Sequence, residues 1–182
     1  YGDTREDARL KMRSALRGTA LFGPENNRDF LIDVMDRDEF ISGAATTAFI
    51  ADYYGDAFTP AEVSSADLAS AGAIQHVLAK ETHHSQSASV NEELLDWVSM
   101  GRVTDTKSYD VGEDAREVLV VPLNAGEYEV SVGAKSHHLV VTDIDDNAIT
   151  LEVDGLSHRY HFHSEAPATI YLASDSLSMM LA

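Results

Sequence analysis

The chain has 182 residues, 44% of them hydrophobic, and carries 31 acidic against 13 basic side chains, a formal net charge of −18. Phosphate backbones are bound by clustered lysine and arginine, so this excess of acid argues against nucleic acid as a partner. The sequence holds no cysteine, which excludes disulfides and thiolate chemistry, and no apolar stretch approaches the roughly 18 residues of a membrane span, so we expect a soluble, cytoplasmic protein without a membrane partner.

The first third of the chain is predicted to be helical. Thr4 can cap a first helix, with Gly18 as a left-handed residue at its end, and a second helix is expected to begin near Asn26 or Asn27. Five of the basic residues lie in the first 17 positions, which predicts an acidic neighbour for the first helix. Short helical turns follow between 38 and 54. These pieces are too small for a core of their own, so we expect them to complete a larger domain or to cover a neighbouring one.

A long helix is predicted over residues 60–80. Thr59, Pro60 and Glu62 combine an N-cap, a proline at the first helical position and a capping-box glutamate. Small or apolar residues occupy almost every side of this segment. A helix of that kind is more often enclosed than laid on a surface, and we expect other parts of the chain to surround it.

From residue 105 the hydrophobic period changes to two, which is typical of strands. Eight strands are predicted, at 105–111, 115–123, 126–133, 137–143, 147–153, 157–163, 168–173 and 177–181. The connections are short enough for antiparallel hairpins, and Asp154-Gly155 is the clearest two-residue turn. Eight strands with one apolar face close naturally into a barrel, which removes exposed edges. The predicted fold class is α+β, a helical N-terminal segment followed by an eight-stranded antiparallel β-barrel around a long central helix.

Several short runs resemble the biotin-carrying α subunits of acyl-CoA carboxylases of the 3-methylcrotonyl-, geranyl- and propionyl-CoA type. The runs are Asp3-Thr4-Arg5-Glu6-Asp7-Ala8, Met12-Arg13-Ser14-Ala15-Leu16, Phe22-Gly23, Asn27-Arg28-Asp29-Phe30-Leu31 and Thr46-Thr47-Ala48-Phe49-Ile50. The resemblance implies that residues 1–54 are the C-terminal end of a biotin carboxylase domain. The order of elements in residues 55–182 is similar to the BT domain, which links biotin carboxylase to the biotin carrier domain.

The resemblance also implies a function and partners. The parent subunit would use ATP, Mg²⁺ and biotin to carboxylate an acyl-CoA, with 3-methylcrotonyl-CoA the expected substrate. The chain lacks the glycine-rich ATP loop, the metal-binding acids and the Ala-Met-Lys-Met biotin acceptor of the family, so we expect no catalytic, cofactor-binding or metal-binding residue in it. Its expected partners are the carboxyltransferase β subunit and the biotin carboxylase and carrier domains of the same chain.

In the family, the connection before the barrel forms a hook that docks on the β subunit. The matching hook segment is residues 81–104, and its candidate partner-binding residues are His83, His84, Leu94, Leu95 and Trp97. Trp97 is the only tryptophan and has two interpretations. It anchors the partner, as tryptophan often does at interfaces, or it covers the mouth of the barrel.

Two other interpretations compete with the assembly role. An eight-stranded barrel can hold a small molecule in its interior, provided that the long helix lies outside it. Histidines form the second alternative: His161 and His163 share one face of a strand, as two metal ligands would, although strand histidines that alternate with aromatic residues are usually the solvated face of a half-buried sheet. A Ser/His/Asp triad has no Gly-x-Ser-x-Gly elbow to support it.

Overall fold

The computed structural model describes residues 1–86, 103–112, 114–165, 169–175 and 178–181. The helices are α1 (Arg5–Arg17), α2 (Arg28–Asp36), α3 (Asp38–Ser42), α4 (Phe49–Tyr54) and α5 (Ser65–Gln86). The strands are β1 (Asp105–Val111), β2 (Asp114–Asn124), β3 (Glu127–Val132), β4 (Lys135–Asp145), β5 (Ala148–Val153), β6 (Leu156–Glu165), β7 (Thr169–Ala173) and β8 (Ser178–Leu181). Among these residues, none of the helices is both long and apolar enough to span a membrane.

The chain divides into two compact units. The helical unit comprises Tyr1–Glu62 with Ala173–Ser178, and the barrel unit comprises Val63–Leu172 with Met179–Ala182. The first break therefore falls after residue 62, whereas the sequence places a domain boundary after residue 54. The assignment of the two parts to a biotin carboxylase end and a BT domain stays a prediction.

Helix α1 begins as predicted but ends differently. The Thr4 side chain accepts a hydrogen bond from the Asp7 N–H at 3.1 Å, which confirms the N-cap. Gly18 has φ −77°, so the prediction of a left-handed residue there is wrong. Its N–H still bonds to the Ser14 carbonyl at 3.0 Å, and the Thr19 N–H bonds to the Leu16 carbonyl at 3.2 Å. The helical turn is continued in right-handed geometry, which needs no positive φ.

Arginines occupy every fourth position of α1 and form one stripe along it. They are Arg5, Arg9, Arg13 and Arg17. Arg5 donates to the carbonyls of Phe40 and Ile41, and Arg9 donates to the carbonyl of Met35 at 2.7 Å. The Asp36 carboxylate lies 2.6 Å from Arg13 Nε and 3.5 Å from Arg17 Nη2. Asp36 therefore supplies negative charge next to α1, and guanidinium groups join α1 to α2 and α3.

A buried arginine supports the end of α1. Arg28 is only 2% exposed. Its guanidinium donates to the carbonyls of Leu16 at 2.8 Å, Arg17 at 2.9 Å and Ser174 at 2.6 Å, and it pairs with Asp29 at 2.8 Å. The last carbonyls of a helix have no intrahelical donor, and this planar fork of donors supplies one.

Aromatic rings provide most of the apolar packing between α2 and α4. Phe30 lies 5.0 Å from Tyr54 and 5.5 Å from Phe58, centroid to centroid, in edge-on geometry. The Tyr54 hydroxyl donates to the Asp33 carboxylate at 2.7 Å. Other large apolar side chains of the helical unit are left exposed, and they are Tyr1, Leu10, Met12, Leu21, Ile41, Ile50 and Tyr53.

The barrel unit is a meander of eight antiparallel strands in the order β1 to β8, a nearly closed barrel that confirms the predicted fold class. Each strand end lies within two residues of its predicted position. The predicted Asp154-Gly155 turn is also confirmed, because Val153 pairs with Leu156 and the two turn residues have φ of 50° and 85°. Alternate residues of the strands supply an apolar core that includes Val118, Val120, Val130, Leu139, Ile149, Leu151, Ile170 and Leu172.

Helix α5 begins at Ser65, so the prediction of a start at Pro60 is wrong, and it extends to Gln86 rather than Lys80. The cap is Ser64, whose hydroxyl lies 3.2 Å from the Asp67 N–H and whose own N–H bonds to the Asp67 carboxylate at 3.0 Å. Two Ser/Thr-x-x-Asp/Glu runs lie five residues apart in this segment. The second run, which begins at Ser64, lies directly before the buried part of the helix. Capping by Ser64 and burial of the following turns therefore both favour a start at Ser65.

Nine consecutive residues of α5, from Leu68 to His76, are buried. Because a helix turns through 100° per residue, burial at nine successive positions means cover on every side for two and a half turns. Helix α5 packs against β2, β3, β4 and β5. Gly72 faces β2 so closely that an added Cβ would lie 2.6 Å from Val118 Cγ1. That the barrel closes around α5 as a central helix stays a prediction.

Candidate functional site

Two of the five predicted docking residues, His83 and His84, fall at the end of α5. His83 is exposed in the last turns of the helix, and the backbone of His84 continues it. Leu94, Leu95 and Trp97 lie outside the described residues. The hook segment therefore stays a predicted docking surface, and the described part of the site is the region of the barrel unit next to it.

A polar network lies beside this end of α5. Asp105 is the first residue of β1. Its carboxylate accepts hydrogen bonds from His76 Nδ1 at 3.0 Å and from Lys107 Nζ at 2.9 Å. Partial burial works to raise the pKa of Asp105, but the hydrogen bonds from His76 and Lys107 outweigh it and hold the pKa below its usual range. Asp105 is therefore ionised at neutral pH and joins the strand to the helix.

A second polar pair lies deeper in the barrel unit. The Tyr109 hydroxyl donates to Gln75 Oε1 at 2.6 Å, and both residues are buried. Burial raises the pKa of Tyr109 well above its ordinary value, so the phenol stays neutral. Gln75 Nε2 has no acceptor among the residues that the structure describes. The pair fixes the rotation of α5 against β1, because a buried hydroxyl without a partner is costly.

An open cavity of about 1,080 Å³ lies beside this network. Its lining is mixed, with apolar contributions from Leu78, Val103 and Phe162 and polar ones from Asp105, Lys107 and His83. The buried turns of α5 end at His76, so the cavity begins where the helix is no longer covered on every side. Its volume is sufficient for a small organic molecule or for a side-chain cluster of a partner.

The histidines of the meander do not gather. His163 lies beside Tyr171, with 6.2 Å between ring centroids, and His158 lies 6.2 Å from Tyr160. Within the described ranges there is no group of three or more His, Cys, Asp or Glu side chains that could hold a metal ion. His137 instead has a serine and an aspartate as neighbours, which are considered below.

Sequence reasoning missed the polar network, although a signal for it was present. Asp105, Lys107 and Tyr109 alternate along β1 and must share one face of the strand. Gln75 and His76 are the two large polar residues of the buried stretch Leu68–His76 of α5, whose other residues are small or apolar. Polar residues that face a core need hydrogen-bond partners. The sequence alone could therefore have suggested hydrogen bonds between the polar residues of β1 and those of α5.

Comparison with known proteins gives one informative match. The chain is 40% identical over 83 residues to the propionyl-CoA carboxylase alpha chain of Ruegeria pomeroyi. This match supports the resemblance to biotin-dependent acyl-CoA carboxylase α subunits. The aligned stretch is 44% of this chain and only 12% of the relative, so the chain spans a small part of the relative's length. No protein family model matches the chain.

Proposed function

We propose that this chain is a bridging segment of the α subunit of a biotin-dependent acyl-CoA carboxylase, noncatalytic in the carboxylation reaction, and that it docks the carboxyltransferase β subunit. The observation that supports this most is the 40% identity to a carboxylase alpha chain over 83 residues. The fold agrees with the proposal, because helices followed by an eight-stranded antiparallel meander are what the resemblance implies for the region after the biotin carboxylase active site.

The parent subunit would carboxylate biotin with ATP and Mg²⁺, and the carboxyl group would then pass to an acyl-CoA. In this proposal the ATP site and the biotin lysine belong to other parts of the parent, since the aligned stretch is 12% of the relative. The name of the relative makes propionyl-CoA the substrate to test first, ahead of 3-methylcrotonyl-CoA.

The docking surface would be the hook segment together with the adjoining end of α5. His83 is exposed there and lines the cavity beside the network of His76, Asp105 and Lys107. This network would hold the base of the hook segment, because it joins Asp105, which directly follows the segment, to His76, which lies five residues before it. The partner would then bind a surface whose conformation is fixed before binding.

A pull-down of the 182-residue chain with the carboxyltransferase β subunit of the same organism tests this role. We expect binding by the unmodified chain and at least a tenfold loss of affinity for Trp97→Ala, since tryptophans at interface centres carry much of the binding energy. Leu156→Ala is the matched control, because Leu156 is a large apolar side chain, 67% exposed, at another place in the barrel unit. A folded chain that does not bind the β subunit would contradict the proposal.

The cavity beside α5 favours a second candidate function, the binding of a small apolar molecule. For this candidate we expect saturable binding of the uncharged dye Nile red, and weaker binding in Leu78→Trp because the larger indole occupies part of the space. Unsaturable or unchanged binding in the variant rejects it.

A further inference from the structure

Three side chains from separate elements meet at the start of α5. His137 Nε2 lies 3.0 Å from Ser65 Oγ, and His137 Nδ1 lies 2.7 Å from Asp154 Oδ2. A hydroxyl on Nε2 and a carboxylate on Nδ1 is the connectivity of a serine nucleophile, its base and the group that orients the base. All three residues belong to the barrel unit.

The fold fixes each member. Ser65 is the first residue of α5, His137 lies in β4, and Asp154 occupies the two-residue turn between β5 and β6 with φ of 50°. The second carboxylate oxygen of Asp154 accepts the His138 N–H at 2.9 Å, and the Asp154 N–H donates to the His138 carbonyl at 2.9 Å. The carboxylate is thus held by backbone on one side and presents its other oxygen to His137.

These contacts determine the tautomer of His137. Hydrogen bonds from His137 and from the His138 N–H lower the pKa of Asp154, so the carboxylate is ionised at neutral pH. An ionised carboxylate only accepts, which places the imidazole proton on Nδ1. In the neutral imidazole with this tautomer, Nε2 carries the lone pair and accepts a hydrogen bond from the Ser65 hydroxyl. The arrangement is that of a general base hydrogen-bonded to its nucleophile.

The position of Ser65 supplies a further element. The first N–H groups of a helix have no intrahelical acceptor, and the helix dipole favours negative charge there. The Asp67 N–H of this turn is already bonded to the Ser64 hydroxyl, so the donors near an oxyanion on an acyl group attached to Ser65 would be the N–H groups that precede it. Ser65 is half-buried, the side chain of His137 is 12% exposed and that of Asp154 is 51% exposed, so Asp154 lies at the surface end of the group.

We propose that Ser65 is an activated nucleophile that reacts with carboxylic esters of small acyl groups, with His137 as general base and Asp154 as its positioning residue. Ser65 Oγ forms a bond to the acyl carbon, and its proton passes to His137 Nε2. The ester C–O bond breaks and the alcohol leaves with that proton. Water then attacks the acyl-serine with the same base, and Ser65 regains its proton as the carboxylic acid departs.

The test uses the 182-residue chain with two probes, 4-nitrophenyl acetate and a fluorophosphonate. We expect a fluorophosphonate adduct on Ser65, located by mass spectrometry of the digested protein, and release of 4-nitrophenol above the buffer rate. Ser65→Ala should abolish both signals. His137→Gln keeps donor and acceptor atoms but removes the base, so the rate should fall by about 100-fold or more. Asp154→Asn should lower the rate with Ser65 and His137 still present.

Ser157→Ala is the matched control, because Ser157 is an exposed serine of β6 outside the group. Melting curves establish that each variant is folded before its rate is compared. The proposal is overturned if folded wild-type protein gives no adduct on Ser65, or if His137→Gln reacts as fast as wild type. If the wild type is unreactive and His137→Gln melts at a lower temperature, the role of the three contacts is structural. They then stabilise the start of α5.

Discussion

The two units of this chain are stabilised by different kinds of contact. In the barrel unit, a continuous set of aliphatic and aromatic side chains from α5 and the strands is excluded from water. In the helical unit, α1 has no buried residue, and arginines bonded to carbonyls and to Asp36 join the helices. Seven large apolar side chains are exposed there, against three in the barrel unit, among the described residues.

This difference shows which unit has a core of its own. Exposed apolar side chains that cluster in one region commonly mark a surface that another part of an assembly covers. The helical unit fits the sequence expectation that it completes a larger domain, and the barrel unit fits a structure that folds without help. The following substitutions test the comparison, from the largest expected effect to the smallest.

Ile74→Ala should have the largest effect, because Ile74 is fully buried within α5. Removing its side chain from a packed core should lower the free energy of unfolding of the barrel unit by about 2–5 kcal/mol. Urea denaturation followed by circular dichroism measures it. Ile50→Ala is the control in the helical unit, where Ile50 is 45% exposed, and should change stability by less than about 0.5 kcal/mol. Equal losses in the two variants would remove the contrast between the units.

Arg28→Lys should destabilise the helical unit by about 2 kcal/mol or more, since an ammonium cannot reproduce the planar fork and leaves buried carbonyls without donors. Hydrogen exchange of the last turn of α1 is the measurement, because Arg28 bonds to the carbonyls of Leu16 and Arg17 there. Arg37→Lys serves as the control, since Arg37 makes a partly exposed i,i+4 pair with Asp33. Unchanged exchange in Arg28→Lys would show that the buried guanidinium is dispensable.

Gly72→Ala tests the close approach of α5 to β2. The new methyl would lie 2.6 Å from Val118 Cγ1, so we expect a loss of about 1–3 kcal/mol from overpacking, offset by up to about 1 kcal/mol of helix propensity. Val118→Ala alone leaves a cavity, which the new methyl group of Gly72→Ala can partly occupy. The double variant should therefore lose less unfolding free energy than the sum of the losses in the two single variants. Thermal unfolding of the three variants measures this coupling. Simple additivity would mean that the two positions do not touch.

Asp105→Asn should produce the smallest change, about 1 kcal/mol or less, because the carboxylate is partly exposed to solvent. The folded pKa of Asp105 lies below the unfolded value, so its contribution is present above roughly pH 4 and is lost as the pH falls through the folded pKa. The difference between wild type and variant should therefore shrink on acidification. Asp110→Asn, on the same strand and exposed, is the control. A difference that is constant from pH 7 to pH 2 would argue against the pair with His76 and Lys107.

The strands and their turns could be predicted almost entirely, because a period of two and an Asp-Gly turn are local properties of the sequence. The start of α5 could not, since two capping runs compete and only tertiary packing selects Ser64. The role of Arg28 was also hidden, because a buried arginine and a surface arginine look alike in sequence. The network of Asp105 with His76 joins residues 29 positions apart, and the group of Ser65, His137 and Asp154 joins residues up to 89 positions apart, so no short motif reports either one.

The consecutive order of the strands has a consequence for how the barrel unit folds. Each strand from β2 to β6 pairs with the strand that precedes it in the sequence. The connections are short, so only small loops must close during folding. Helix α5 precedes all eight strands and is synthesised before them. The meander can therefore condense strand by strand on a helix that is already present, and Ile74→Ala should slow refolding measured by stopped-flow. If it accelerates unfolding alone, the helix instead joins the sheet after the rate-limiting step.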